Sequence, residues 1–210
     1  VKDYNYSVTG KLEKSKFKLS SPIKNDFTKE EITNIYLSDL EVKTVFEPKN
    51  IKINSDGKYS LDNSNFLKFN IENNLNKDRL NLKLNFDYKN IVKLDLINYK
   101  KPEGSIANLF VDLEKKKDDI NINKLYFKEE KNFISIQGLS IKNNNFFSLK
   151  KIEVKTPNND FVIEKGKKIL IKGNKLDATN LAKFFNKRSN ENRFQKIDSA
   201  IEIDFKNINV

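Results

Sequence analysis

Leu80-Asn81-Leu82-Lys83-Leu84-Asn85-Phe86-Asp87-Tyr88 decides the fold class. Every even position is apolar or aromatic, and every odd position is polar. In an extended chain successive side chains point to opposite faces, so this stretch reads as a strand with one dry and one wet side. Val92-Lys93-Leu94-Asp95-Leu96 repeats the pattern directly downstream. So do Leu67-Lys68-Phe69-Asn70-Ile71, Ile120-Asn121-Ile122, Ile134-Ser135-Ile136, Ile152-Glu153-Val154 and Ile201-Glu202-Ile203-Asp204-Phe205. The runs recur about every 8–12 residues with no helical crossovers between them. That rhythm predicts an all-β fold of mainly antiparallel amphipathic strands, as a curved, groove-like sheet or a sandwich.

Turn chemistry punctuates the runs. Asn54-Ser55-Asp56-Gly57, Asn143-Asn144-Asn145 and Thr156-Pro157-Asn158-Asn159 each suit a reversal, because Asn and Asp tolerate positive φ and Gly adopts it freely. Three segments, Tyr6–Gly10, Ile134–Gly138 and Ile169–Gly173, read as strands ending at glycine, a weak internal repeat without a fixed period.

Two stretches depart from period 2. Leu181, Phe184 and Phe185 have i, i+3, i+4 spacing behind Asp177 or Thr179 as N-cap, with Lys187 and Arg188 at the C-terminal end. This predicts a short α-helix near 178–187. Thr28-Lys29-Glu30-Glu31 has the form of a capping box and leads to Ile32, Ile35 and Tyr36, as a helical turn or an irregular entry to a strand at Leu40–Val42. The polar stretch from Ser189 to Lys196 reads as a loop.

Composition removes most chemistry. The 210 residues include no Cys and no His. Thiolate nucleophiles, disulfides, Cys- or His-based zinc sites and the Ser-His-Asp triad are therefore excluded. Gly166-Lys167-Lys168 lacks the upstream glycine and the final Ser/Thr of a phosphate loop, and no Gly-x-Gly occurs. The adjacent acids Glu30-Glu31, Asp118-Asp119 and Glu129-Glu130 would face opposite sides of a strand, so they form no preset acid-base pair. The expectation is a non-catalytic protein with no cofactor and no metal.

The net charge is +11, but only Arg79, Arg188 and Arg193 among the basic residues are arginines. A surface built to grip phosphate favours Arg for its bidentate fork, so the lysines read as a solvated outer face. Lys124-Leu125-Tyr126-Phe127-Lys128 interleaves aromatic and basic residues, as a single-strand binder does. Alternation explains it equally well, and no nucleic-acid partner is expected.

Lys168-Ile169-Leu170-Ile171-Lys172-Gly173-Asn174-Lys175-Leu176-Asp177, with the helix expected after it and the strand Ser199–Ile208, resembles a segment of the AsmA-like proteins of Gram-negative envelopes, the YhdP/TamB group. Ile134–Leu139 and Phe161–Ile163 suit the same pattern. The resemblance covers about residues 105–210, while 1–104 match in general style only, so the chain is treated as one β-rich segment, 1–210, with that possible subdivision. It implies a piece of a longer periplasmic protein anchored to the inner membrane. Such a piece would offer a hydrophobic β-groove for phospholipid transfer between the two membranes and for envelope homeostasis, and the chain's start at Val1 is read in the same sense. The partners implied are phospholipid acyl chains, and the lipid-facing candidates are Leu80, Leu82, Leu84, Phe86, Val92, Leu94, Leu96, Ile134, Ile136, Ile201, Ile203 and Phe205. The alternative from the residues alone is a β-sandwich adhesion or carbohydrate-binding module of a surface protein.

Overall fold

The computed structural model describes residues 4–24, 31–143, 145–180 and 199–210. The chain is all-β, and thirteen of its strands form a single open sheet. In chain order the first half supplies β1 (Tyr6–Lys24), β2 (Glu31–Glu47), β3 (Asn50–Ser60), β4 (Leu67–Asn76) and β5 (Arg79–Tyr88). After an excursion come β8 (Ala107–Lys116), β9 (Asp119–Glu129), β10 (Asn132–Lys142), β11 (Asn145–Ser148), β12 (Lys151–Thr156), β13 (Asn159–Lys165), β14 (Ile169–Asp177) and β15 (Ile201–Asn209). Along the main path each strand pairs with the next one on it, while β11 lies off the path beside β10, so the sheet is largely a meander. Among the described strands only the last pair, β14 and β15, runs parallel. The main path of twelve strands is about 53 Å across at the usual strand spacing.

Among the described residues, the excursion between β5 and β8 departs from the single layer. It holds the two-residue strands β6 (Lys93–Leu94) and β7 (Tyr99–Lys100), paired with each other, around a 3-10 turn at Asp95–Ile97. The strand expected over Val92–Leu96 is therefore reduced to a two-residue bridge. Asp95 and Asn98 explain the break. Asn98 adopts the left-handed conformation (φ 47°) and its N–H donates to the Asp95 carbonyl, closing a turn where an extended strand would run on. We call residues 89–106 the strap.

Local backbone devices bend the sheet. Asp39 (φ 51°) lies in a bulge of β2, between the pairs Ser38 with Lys58 and Glu41 with Asp56. Asn123 is an extra residue of β9 relative to β8, and Gly138 (φ 63°) lies on β10 at the same level. A Cβ on Gly138 would sit 2.8 Å from Lys150 Cβ. That crowding coincides with the point where β10 stops pairing with β11 and starts pairing with β12.

Four sequence expectations are corrected here. Residues 54–57 are not a turn but the interior of β3, paired to β4 from Asn54 with Glu72 to Gly57 with Phe69. Gly57 is there for room, since a Cβ would lie 3.1 Å from Leu40 Cα. The three glycine "strand ends" are interior positions of β1, β10 and β14. Glu31–Tyr36 is strand, not helix, while 25–30 lie outside the described residues. Finally, Ala178–Asn180 form no helix, and the rest of the helix expected near 178–187, like the loop expected at 189–196, lies outside the described residues. The turns at Asn143 and at Pro157–Asn158 stand as expected.

Candidate functional site

Directly opposed residues of paired strands share a face. Following the register from strand to strand shows what the alternation builds. One row runs Ile71, Leu84, Val111, Leu125, Ile136, Ile152, Ile163, Ile171 and Ile203, one residue on each of β4, β5, β8, β9, β10, β12, β13, β14 and β15. A parallel row on the same face runs Phe69, Phe86, Leu109, Phe127, Ile134, Val154, Phe161, Gly173 and Phe205. On the other side of the first row lies a shorter one, Leu82, Leu113, Ile122 and Leu139. These rails cross the strands at right angles, so the apolar surface is continuous along the width of the sheet.

Two interruptions are polar. Asn73 stands in the row of Leu82, and its Oδ1 is enclosed without a hydrogen-bond partner. Lys115 stands between Leu80 and Ile120.

No second sheet covers this face among the described residues, so the fold is an open single layer and not a sandwich. Among the described residues the strap covers part of it. Tyr99 packs edge-on against Phe127 at 5.9 Å between ring centres. Around that contact lies the principal cluster of buried apolar residues: Tyr99, Ala107, Phe127, Ile134, Val154 and Phe161, with Val92, Leu94 and Ile97 of the strap packed against it. The strap thus roofs the row of Phe127 from β9 to β13. The row of Ile136 beside it remains half-buried, and the edge residues Ile201 and Ile203 are 53% and 61% exposed. Tyr6, Val8, Leu12 and Phe17 of β1 are similarly open.

Polar contacts fasten the strap along the strand ends. Tyr99 Oη donates to Glu129 Oε2 at 3.0 Å, and Asn132 donates to the same oxygen at 2.6 Å. Lys101, with no exposed surface, caps the carbonyls of Lys89 and Pro102 at 2.7 and 3.1 Å. Burial pushes its ammonium below the ordinary lysine range, opposed by the charge of Glu129. Burial also resists ionisation of Glu129, but hydrogen bonds from Asn132, Tyr99 and Ser105 and the charge of Lys101 outweigh it. Its carboxyl is held below the ordinary range. Burial, and then the bond to Glu129, push the Tyr99 hydroxyl well above the usual phenol range. At the far end Asn159 Nδ2 donates to the Ile97 carbonyl at 2.7 Å while its Oδ1 accepts the Asp177 N–H at 2.9 Å. Asn98 Nδ2 donates to Asp177 Oδ2 at 2.9 Å.

Most of the sequence candidates are thereby brought together. Leu80, Leu82, Leu84, Phe86, Ile134, Ile136, Ile201, Ile203 and Phe205 share one face. Val92, Leu94 and Leu96 do not belong to the sheet. The first two are strap residues that pack down on it, and Leu96 is 41% exposed on the strap. Sequence reasoning missed Leu109, Val111, Leu113, Leu125, Ile163 and Ile171. Their alternation is visible in Asn108–Lys115 and Phe161–Lys172, but the paired apolar residues Leu109-Phe110 and Ile169-Leu170 blur its phase.

The fold and this face define a class, an open amphipathic β-sheet with one continuous apolar surface and a partial roof. No family model, curated protein or solved structure matches the chain.

Proposed function

We propose that the chain is a non-catalytic segment of an AsmA-like envelope protein, whose apolar face serves as a groove for phospholipid acyl chains passing between inner and outer membranes. On this reading it works in the periplasm, held to the inner membrane by parts of a longer protein. The observation that carries it is the row from Ile71 to Ile203, nine strands wide and half-open. Apolar surface of that continuity on a single-layered sheet calls for an apolar occupant. Each buried methylene is worth about 0.8 kcal/mol, so moving a long acyl chain through bare water costs on the order of 10 kcal/mol. A rail that offers the same contacts at every strand removes most of that barrier and requires no reacting group.

The test is native mass spectrometry of the purified protein, with lipid analysis of an organic extract. Co-purified phospholipid in stoichiometric amount, lost in Leu82→Asp and Ile136→Asp while circular dichroism stays that of a folded sheet, supports the groove. Wild-type protein that carries no lipid and takes none from vesicles of phosphatidylethanolamine and phosphatidylglycerol sinks it.

A further inference from the structure

The opposite face of the sheet holds a second, polar feature. Asp56, Asn70 and Asn85 are mutual cross-strand partners on β3, β4 and β5. Two residues along the strands stand Lys58 opposite Lys68, and Asp87 opposite Asn108. Between these two rows Gly57, Phe69 and Phe86 belong to the apolar side, so their backbone floors a hollow of about 470 Å³. Asp39, in the left-handed bulge of β2, closes one end and holds Lys58 at 2.8 Å, while Asn108 of β8 closes the other. From β2 to β8 is four strand spacings, about 19 Å.

The hydrogen bonding inside the hollow is only half-used. Asn70 Nδ2 donates to Asp56 Oδ1 at 2.8 Å. Asn108 Nδ2 donates to Asn85 Oδ1 at 2.8 Å and to Asp87 Oδ1 at 3.1 Å. Among the described residues nothing in the protein engages Asn85 Nδ2, Asn70 Oδ1, Asp56 Oδ2 or Lys68 Nζ. The hollow therefore presents donors and acceptors in alternation. Two lysines against three aspartates nearly cancel, so it favours neither an anion nor a cation. Where the row of Asn85 continues, Phe110 stands opposite Asn85 and stacks on Tyr126 at 5.2 Å.

Mixed amide and carboxylate groups with spare valences, near-zero net charge and an adjoining aromatic surface match one ligand chemistry. A sugar hydroxyl donates and accepts at once, and the C–H face of a pyranose packs on an aromatic ring. We propose that this hollow binds a short stretch of neutral glycan. The site lies on the side of the sheet away from the apolar rails, so it stands or falls independently of the lipid reading.

The experiment is a titration of the isotopically labelled protein with triacetylchitotriose and with cellotriose, followed through the side-chain amide resonances. Saturable shifts of Asn70, Asn85 and Asn108, weakened about tenfold or more by Asn85→Ala and by Asn70→Ala in a protein whose remaining spectrum is unchanged, are the expected result. The same shifts should persist in Leu82→Asp, which tests the groove alone. No saturable shift with either sugar overturns the proposal. So does binding that survives both alanine variants, or a stronger response of the same amides to oligothymidylate.

Discussion

Asn159 reaches both ways at once: its Nδ2 donates to the Ile97 carbonyl of the strap, and its Oδ1 accepts the N–H of Asp177 at the end of β14. The side chain has no exposed surface. Replacing it by alanine leaves a carbonyl and an N–H enclosed and unpaired, and each such group costs about 1–3 kcal/mol. Asn159→Ala should therefore lose roughly 2–4 kcal/mol in urea denaturation, whereas Asn158→Ala, exposed in the same turn, should stay within about 0.5 kcal/mol. Equal losses in the two variants would mean that the strap contact contributes nothing.

Glu129 gives the strap a pH dependence with a defined sign. Its carboxyl is held below the ordinary value of 4.5 in the folded chain. The folded state then binds fewer protons than the unfolded state in that range, so the contribution is complete above pH 4.5 and is lost as pH falls below it toward the depressed value. Asp177 acts in the same direction through hydrogen bonds from Thr179 and Asn98, against burial. Denaturation midpoints measured from pH 6 down to pH 3 should fall less steeply in Glu129→Gln than in the parent. An unchanged slope would remove Glu129 from the account.

Gly173 and Gly10 look alike in sequence, each two residues after an apolar strand residue, but meet different surroundings. A Cβ on Gly173 would collide with the Asp160 carbonyl and lie 2.6 Å from Phe161 Cα, both backbone atoms. Nothing lies within 4 Å of a Cβ on Gly10. Gly173→Ala should cost about 2 kcal/mol or more through displaced backbone. Gly10→Ala should be neutral or stabilise by up to about 1 kcal/mol, because alanine narrows the unfolded ensemble. Thermal unfolding of both variants decides the point.

Alternation made the sheet legible, because a period of two fixes which side chains share a face whatever the strand packs against. The side chains from Leu80 to Phe86 and from Ile201 to Phe205 needed nothing more. Two things lay beyond that pattern. Val92–Leu96 alternates as well as any strand, and only the left-handed turn at Asn98, with tertiary burial of Tyr99 and Lys101, takes it off the sheet. Gly57 looked like a turn glycine, although its reason is the close approach of Leu40, a contact between strands that no local sequence signal carries. The polar hollow was invisible for the same reason. Asp56, Asn70, Asn85 and Asn108 are scattered over more than fifty residues of chain, and only the register places them side by side.

Stability and ligand uptake should separate along the two apolar rows. Phe127 is 6% exposed beneath Tyr99, and truncating a buried phenylalanine leaves a cavity worth about 3–5 kcal/mol. Leu82 and Ile136 stand outside the cluster under the strap, on the same face, and are half-buried. Their truncation removes partial burial and opens no enclosed void, so Leu82→Ala should cost about 1 kcal/mol. If the open rows are where an acyl chain lies, a bound chain buries the very surface that the protein leaves wet. Phospholipid should then raise the unfolding midpoint of the parent, and of Phe127→Ala by a similar increment, because binding adds RT ln(1 + [L]/Kd) whatever the starting stability. Leu82→Ala combined with Ile136→Ala should keep most of the parent's stability and lose most of that increment. Calorimetry with and without lipid vesicles measures both quantities in one series. An increment that disappears in Phe127→Ala and survives in the Leu82/Ile136 double variant would place the ligand under the strap instead of along the open rows.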